Sequence, residues 1–235
     1  MSLRTGSLCV VTAAAIALGA PAAASAVTGT IGKPCHANVP GLGGTSQPIV
    51  ITLTGGAPNG NFVVSAAAPG KAQGSSGSAS GKYDAAGNAV TQIENVSVPG
   101  GGTGPTKGRP VIITVSEFAS GSQVDTAIGQ TLITNLAMSV ASRPVNPRKA
   151  RRVSVSGTAF AGKKLYGFIV KGTNPKVLRR FSLGTGNECG FASASRVVAP
   201  RSFRRGTYRL YVNAGTKLNK DLALAFTFEI TRRLV

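Results

Sequence analysis

The densest group of side chains able to bind a ligand in this sequence is a set of arginines centred on the segment from Arg201 to Leu210. Its members are Arg179, Arg180, Arg201, Arg204, Arg205 and Arg209. The planar guanidinium group donates paired hydrogen bonds to phosphates and carboxylates, so this group is suited to binding an acidic polymer. The alternative is that these charges only solvate a strand and keep a sheet edge from pairing with another molecule.

Two cysteines form the second candidate group. The chain contains three, and Cys9 lies in an N-terminal segment that we expect to be removed, which leaves Cys35 and Cys189. An even pair in an exported protein favours a disulfide, and by the loop-entropy model this one would contribute about 5 kcal/mol. Two separate buried thiols are the other interpretation, because a bridge needs Cα atoms within about 7 Å of each other.

Catalytic and metal-binding patterns are not found in the sequence. His36 is the only histidine and follows Cys35, but neighbours in a strand point to opposite faces, so we interpret His36 as a surface residue. The seven carboxylates form no paired motif and no ligand spacing, so neither an enzyme nor a metal site nor a cofactor is predicted. Glu94 and Glu117 are expected to face solvent, and the glycines from Gly100 to Gly104 are interpreted as a strand connection rather than a phosphate loop.

The N-terminal 26 residues have the pattern of a signal peptide. An apolar run from Leu8 to Leu18 precedes the sequence Ala-Ser-Ala, which predicts cleavage between Ala26 and Val27. The run is shorter than the roughly 20 residues that a membrane-spanning helix needs. We therefore expect a secreted protein, extracellular or associated with the cell envelope, with no transmembrane segment.

Charge divides the remaining chain into two halves. Residues 27–141 hold five Lys and Arg against four carboxylates, for a net charge of +1, whereas residues 142–235 hold 20 against three, for a net charge of +17. We predict two domains with these bounds, 27–141 nearly neutral and 142–235 strongly basic. The segment SRPVNPRKA, which begins at Ser142, is predicted to be a short, stiff linker.

Short runs of alternating apolar residues between Gly- and Pro-rich turns predict an all-β protein with two tandem sandwiches. The clearest run is Leu222, Leu224, Phe226, Phe228 and Ile230, which places Glu229 on the solvent side. The segments GKAQGSSGSASGK (70–82) and VPGGGTGPTKGRP (98–110) are predicted to be exposed loops.

The same alternation orients the arginines. Tyr208 and Leu210 take the inward face of their strand, so Arg209 faces solvent, and the turn before this strand carries Arg204 and Arg205. Arg179 and Arg180 are neighbours on one strand and must point to opposite faces, so at least one of them lies near a sheet edge or extends along apolar surface toward water.

Three segments resemble a known group of proteins. NPRKARRVSVSGTAFAGKKLYGFIVKG, RFSLGTGNECG and FRRGTYRLYV are similar to the second module of secreted actinobacterial proteins built from tandem immunoglobulin-like β-sandwiches. The shared features are an S-G-x-x-F turn at Ser156, the Cys189-Gly190 pair and a G-T-Y-x-L strand that begins at Gly206. The resemblance covers Asn146 to Ile230; it implies an immunoglobulin-like (fibronectin type III-like) fold and export, and it implies no established function.

These observations predict a non-catalytic secreted or cell-surface module that binds an anionic cell-envelope polymer through the basic second half. The net charge of +17 exceeds the magnitude of about 2 to 8 that keeps a small domain soluble. The alternative is a protein-binding module or structural spacer whose charge serves solubility only. Sequence-specific binding of nucleic acid is not expected, because no recognition helix is predicted.

Overall fold

The structure is a computed structural model that describes residues 27–37, 47–94, 96–97, 102–119, 122–143, 149–200 and 202–231. Within these residues the chain forms fifteen strands and one 3₁₀ helix, Thr158–Phe160, so the all-β prediction is confirmed. The predicted signal peptide, including Ala26 of the cleavage site, lies outside the described residues, and Val27 is the first residue within them.

The strands divide into two groups along the chain. The first group is β1 (Thr28–Ile31), β2 (Cys35–Ala37), β3 (Ile49–Thr54), β4 (Asn61–Ala67), β5 (Gly77–Lys82), β6 (Ala89–Ile93), β7 (Arg109–Ala119) and β8 (Ser122–Thr134). The second group is β9 (Ala137–Val140), β10 (Arg151–Ser156), β11 (Lys164–Lys171), β12 (Val177–Thr185), β13 (Ala192–Arg196), β14 (Gly206–Ala214) and β15 (Leu224–Ile230).

The first group makes a three-stranded sheet, β1-β3-β6, and a five-stranded sheet, β2-β8-β7-β4-β5. Strand β3 shows why they pack face to face: Ile49, Ile51 and Leu53 are fully buried while the residues between them are exposed. Their side chains share a core with Val111, Ile113 and Val115 of β7 and other apolar residues. We call this unit the first sandwich.

The second group makes a three-stranded sheet, β13-β10-β9, and a four-stranded sheet, β12-β11-β14-β15, and we call it the second sandwich. Its core joins Val153 and Val155 of β10 to Tyr208, Leu210 and Val212 of β14. Strand β15 alternates as the sequence predicts, since the residues from Leu224 to Ile230 turn every other side chain inward and Glu229 is exposed.

Two details differ from the sequence-based expectation. Strand β9 pairs with β10, with Val140 opposite Val153, so a strand that precedes the predicted boundary at Ala141 belongs to the second sandwich. Residues 144–148 of the predicted linker lie outside the described residues. Residues 77–82, predicted to be part of a loop, form the edge strand β5, antiparallel to β4. A glycine is needed on β5 because the ring of Phe62 fills the space that a side chain at position 81 would occupy.

A disulfide connects the two sandwiches, as the first interpretation of the cysteines predicts. Cys35 on β2 is bonded to Cys189 in the turn after β12, with the two Cα atoms 5.3 Å apart. Hydrogen bonds surround it: Asn187 Nδ2 donates to the Lys107 carbonyl at 2.8 Å, and Ser156 Oγ donates to the Asn135 carbonyl at 2.7 Å. The junction is therefore held by covalent and polar contacts together.

Candidate functional site

The outer face of the four-stranded sheet carries an apolar cluster that is separate from the core of the second sandwich. It contains Phe168 and Val170 of β11, Tyr211 of β14 and Ala223, with Tyr166 partly buried beside them. Phe168 is 2% exposed and Tyr211 is 8% exposed, although an outward sheet face of an antiparallel sandwich is usually polar. Something must cover these side chains.

The cover is the nine-residue connection between β14 and β15, residues 215–223, which we call the covering loop. Leu218 and Ala223 of this loop pack against the outer cluster. Asn213, which is 1% exposed, fixes the loop from below: its Nδ2 donates to the Lys217 carbonyl at 3.0 Å and its Oδ1 accepts from the Asn219 amide at 3.4 Å. One buried amide therefore positions two points of the loop backbone.

A groove of about 910 Å³ lies between the covering loop and the turn that connects β11 to β12. It is lined by Phe168, Pro175, Val177, Arg180, Thr216, Lys217, Leu218, Asn219, Lys220 and Asp221. Three of these residues are cationic and Asp221 is the one carboxylate among them. The groove thus combines an apolar floor with a net positive wall.

Two of the cations are held over aromatic rings. The Arg180 guanidinium carbon lies 5.9 Å from the centroid of the Tyr166 ring, and its Nη1 donates to the Thr216 carbonyl at 3.0 Å. Lys220 Nζ lies 5.9 Å from the centroid of the Tyr211 ring. Such contacts are attractive and restrict long side chains that otherwise move freely, so the positive charge is placed in advance of any ligand.

The structure separates the five predicted arginines that it describes. Arg180 and Arg209 share the outer face, because Arg180 is opposite Phe168 and Arg209 is opposite Val170. With strands about 4.8 Å apart and about 3.4 Å per residue, their Cα atoms are about 12 Å apart. Only Arg180 of this pair lines the groove.

Three other predicted arginines, Arg179, Arg204 and Arg205, do not line the groove. Arg179 is opposite Ile169 of the core, so it takes the inward face of β12, an edge strand, as the expectation of opposite faces requires. Its buried Nε has no hydrogen-bond partner among the described residues. Arg204 and Arg205 are exposed in the turn before β14, where the Tyr208 hydroxyl donates to the Arg204 carbonyl at 2.6 Å. Arg201 lies outside the described residues.

Positive charge also occurs away from the groove. Arg152 is exposed on the outer face of the three-stranded sheet, in a row with Ser154, Ser193 and Ser195. The 20 Lys and Arg of residues 142–235 share three carboxylates, Glu188, Asp221 and Glu229, so ion pairing neutralises only a small part of the charge. The excess positive charge belongs to the whole second sandwich. Three of its cations, Arg180, Lys217 and Lys220, line the groove.

His36 is buried, which contradicts the expectation of a surface residue. It is 1% exposed, and both ring nitrogens face backbone carbonyls, Nδ1 at 3.1 Å from Pro48 and Nε2 at 3.1 Å from Lys33. Burial lowers the pKa of His36 below its ordinary value of 6.5, against the opposing effect of these carbonyls. Its neighbour Cys35 is oxidised in the disulfide, so this pair forms no nucleophile and base.

The remaining candidate groups occupy ordinary surface positions. Glu94 is exposed as expected, and Glu117 is half-buried, with its Oε1 accepting from the Ala57 amide at 3.4 Å. Among the residues that the structure describes, no three His, Cys, Asp or Glu side chains come together as a metal site. No helix in the described ranges has the length and apolar character to cross a membrane.

No protein-family model and no curated protein matches the chain. Solved structures with some similarity include a tetra-tandem repeat from the extending region of a large adhesion protein, 14% identical with a TM-score of 0.31, covering 88% of this chain and 48% of that one. Red sea bream transglutaminase is 14% identical with a TM-score of 0.30, covering 83% of this chain and 30% of that one.

Trypsin-activated alpha-2-macroglobulin from Escherichia coli is 11% identical with a TM-score of 0.28, covering 90% of this chain and 16% of that one. This chain therefore spans less than half the length of each of the three proteins. At these scores the likeness gives no argument about function, and the functional conclusion must come from the second sandwich itself.

Proposed function

We propose that the protein is a non-catalytic module, secreted or held at the cell surface, that binds an anionic cell-envelope polymer through its second sandwich. The Cys35–Cys189 disulfide fits an oxidising compartment outside the cytoplasm. The net charge of +17 on residues 142–235 fits a polyanionic partner, because a potential of this size attracts any dense array of negative groups.

The observation that carries the proposal is the placement of Arg180 and Lys220 at the groove. A surface that served solubility alone would carry freely moving cations on polar faces. Here the covering loop brings Lys217 and Lys220 toward Arg180, and ring faces hold Arg180 and Lys220 in position. Cations fixed in this way lose less conformational freedom when an anion binds.

One observation favours a second candidate, a protein partner. Val177 and Leu178 of β12 and Leu222 of the covering loop are exposed, Leu222 at 52%, and they lie at or beside the groove. Apolar side chains rimmed by charge are typical of protein-binding surfaces. In that case the affinity would depend on these three residues and only weakly on salt.

Salt and matched variants separate the two candidates. The test uses the oxidised protein from Val27 onward and purified cell envelope, with bound protein measured at salt concentrations from 50 mM to 1 M. We expect strong retention at low salt and release at high salt, because the Debye length falls to about 3 Å at 1 M. Retention that high salt does not reduce contradicts the proposal and favours a protein partner.

The variant Arg204→Ser/Arg205→Ser/Arg209→Ser removes three charges from the second sandwich. Its control, Lys33→Ser/Lys71→Ser/Lys82→Ser, removes three exposed charges from the first. We expect the first variant to weaken retention at low salt and the control to leave it unchanged. Equal retention of the wild type and both variants overturns the assignment of Arg204, Arg205 and Arg209 as contacts with the polymer.

A further inference from the structure

The geometry points to the groove beneath the covering loop as the binding site for a phosphodiester polymer, with one phosphate held between Arg180, Lys217 and Lys220. This inference rests on the proposed function and adds to it the site and the chemical class of the ligand. Every residue that lines the groove belongs to the described part of the chain.

Arg180 supplies the oriented donors. A guanidinium group has five N–H donors, and the bond from Nη1 to the Thr216 carbonyl uses one of them. The Tyr166 ring below fixes the guanidinium in place, while the side chain remains exposed. The remaining donors are therefore available to an anion in the groove, in the planar arrangement that matches phosphate oxygens.

The two lysines add positive charge to the same groove. Asn213 fixes the covering loop at Lys217 and Asn219, and Leu218 between them packs on the outer apolar cluster. Because the loop is held at these points, Lys217 and Lys220 line the groove together with Arg180. Lysine binds phosphate as a point charge and needs no particular geometry.

A phosphate suits this site better than a carboxylate. A phosphodiester has two non-bridging oxygens that share one negative charge, as a carboxylate has, but successive charges along its polymer are separated by a neutral polyol or sugar. Asp221 at the groove repels a second anion close by, which disfavours polymers with densely packed carboxylates.

The apolar part of the groove fits the neutral part of such a polymer. Val177 and Leu218 contribute carbon surface beside the cations, against which the polyol or sugar carbons between phosphates can pack. The volume of about 910 Å³ is at the upper end of the range of about 300 to 1,000 Å³ that is common for ligand sites. The groove is therefore large enough for more than the phosphate alone.

The test compares two variants of equal charge by calorimetric titration with soluble poly(glycerol phosphate) at low salt. The groove variant is Arg180→Ser/Lys217→Ser/Lys220→Ser. The matched control, Arg152→Ser/Arg204→Ser/Arg205→Ser, removes three exposed cations of the same sandwich that do not line the groove. We expect the groove variant to weaken binding by about 30-fold or more, and the control by about 3-fold, since direct charge-assisted contacts exceed long-range attraction.

Additional measurements distinguish a failure of the groove assignment from a failure of the phosphate preference or of the proposed function. Arg180→Lys keeps the charge and loses the planar fork, and we expect it to weaken binding by about 5-fold. Equal losses in the groove and control variants overturn the groove and leave the proposed function intact. Polygalacturonate binding as tightly as poly(glycerol phosphate) overturns the phosphate preference. Wild-type protein that binds neither these polymers nor the envelope overturns the proposed function itself. Circular dichroism and denaturant midpoints confirm that each variant is folded.

Discussion

The two sandwiches have the same architecture and differ in what they present to solvent. Each packs a three-stranded sheet on a larger one, of five strands in the first and four in the second. The first does so with a net charge of +1, whereas residues 142–235 carry +17. Because the nearly neutral sandwich folds on the same plan, the architecture does not require the cationic excess of the other.

The outer faces differ as well. In the first sandwich the outward residues of β7 are the exposed Ile112 and two polar residues, the half-buried Thr114 and the buried Ser116. In the second, the outward residues Phe168, Val170 and Tyr211 are buried beneath the covering loop. The second sandwich therefore contains an additional layer, and this layer forms the groove.

The largest expected effect concerns the link between the sandwiches. Changing both Cys35 and Cys189 to Ala removes a bridge between residues 154 positions apart, and the loop-entropy model gives a loss of about 5 kcal/mol in the free energy of unfolding. Denaturant unfolding measures it. We expect one transition for the oxidised protein and two for the variant, one for each sandwich. A variant that unfolds in one transition at the wild-type midpoint contradicts the view of two units joined by the bridge.

A second prediction compares the outer faces directly. Phe168→Ala opens a cavity beneath the covering loop and should lower the free energy of unfolding by about 3 to 5 kcal/mol. Ile112→Ala, at the outer face of the first sandwich, should cost less than about 1 kcal/mol because the side chain is already 37% exposed. Similar losses for the two variants would remove the distinction between the faces.

The third prediction tests how the covering loop is held. Asn213→Ala leaves the Lys217 carbonyl and the Asn219 amide without their partner, so we expect a loss of about 2 kcal/mol and weaker polymer binding. Thr227→Ala, at an exposed position of β15, is the control and should change neither quantity. Unaltered binding by Asn213→Ala would show that the groove does not depend on this amide.

The smallest prediction uses pH and belongs to the first sandwich, which contains the single histidine. Because the pKa of His36 is lowered in the folded state, the unfolded chain binds a proton first as pH falls below 6.5, and stability decreases. The decrease over the first pH unit should be at most about 1.4 kcal/mol. The variant His36→Gln should show a smaller difference between the free energies of unfolding measured at pH 7 and at pH 5.5. An equal difference in the variant would show that other groups cause the pH dependence.

Most of the fold follows from the sequence because alternation and turn residues mark the apolar strands, as in β3 and β15. Strands β5 and β13 are among those that escaped prediction, and they consist largely of Gly, Ser and Ala, which have no strong preference for strands. They form because neighbouring strands supply ladder partners. Strand β9 was assigned to the first half because its apolar residues continue the alternation of β8.

The candidate site was predictable only in part. Alternation placed Arg209 outward and Arg179 and Arg180 on opposite faces. Lys217 and Lys220 gave no local signal, since their position depends on a loop that folds back over the sheet. One signal was present: the run from Leu165 to Val170 is apolar without alternation, which is typical of a strand buried on both faces. It could have predicted the additional layer.

The bond between Cys35 and Cys189 also makes the chain between these residues a covalent ring. A protease that cuts one exposed loop of the first sandwich, such as the turn at Lys71, opens the ring without releasing a fragment. Two cuts, or one cut followed by reduction, are needed to separate the pieces. The basic sandwich thus stays covalently attached to residue 35 after a first cut.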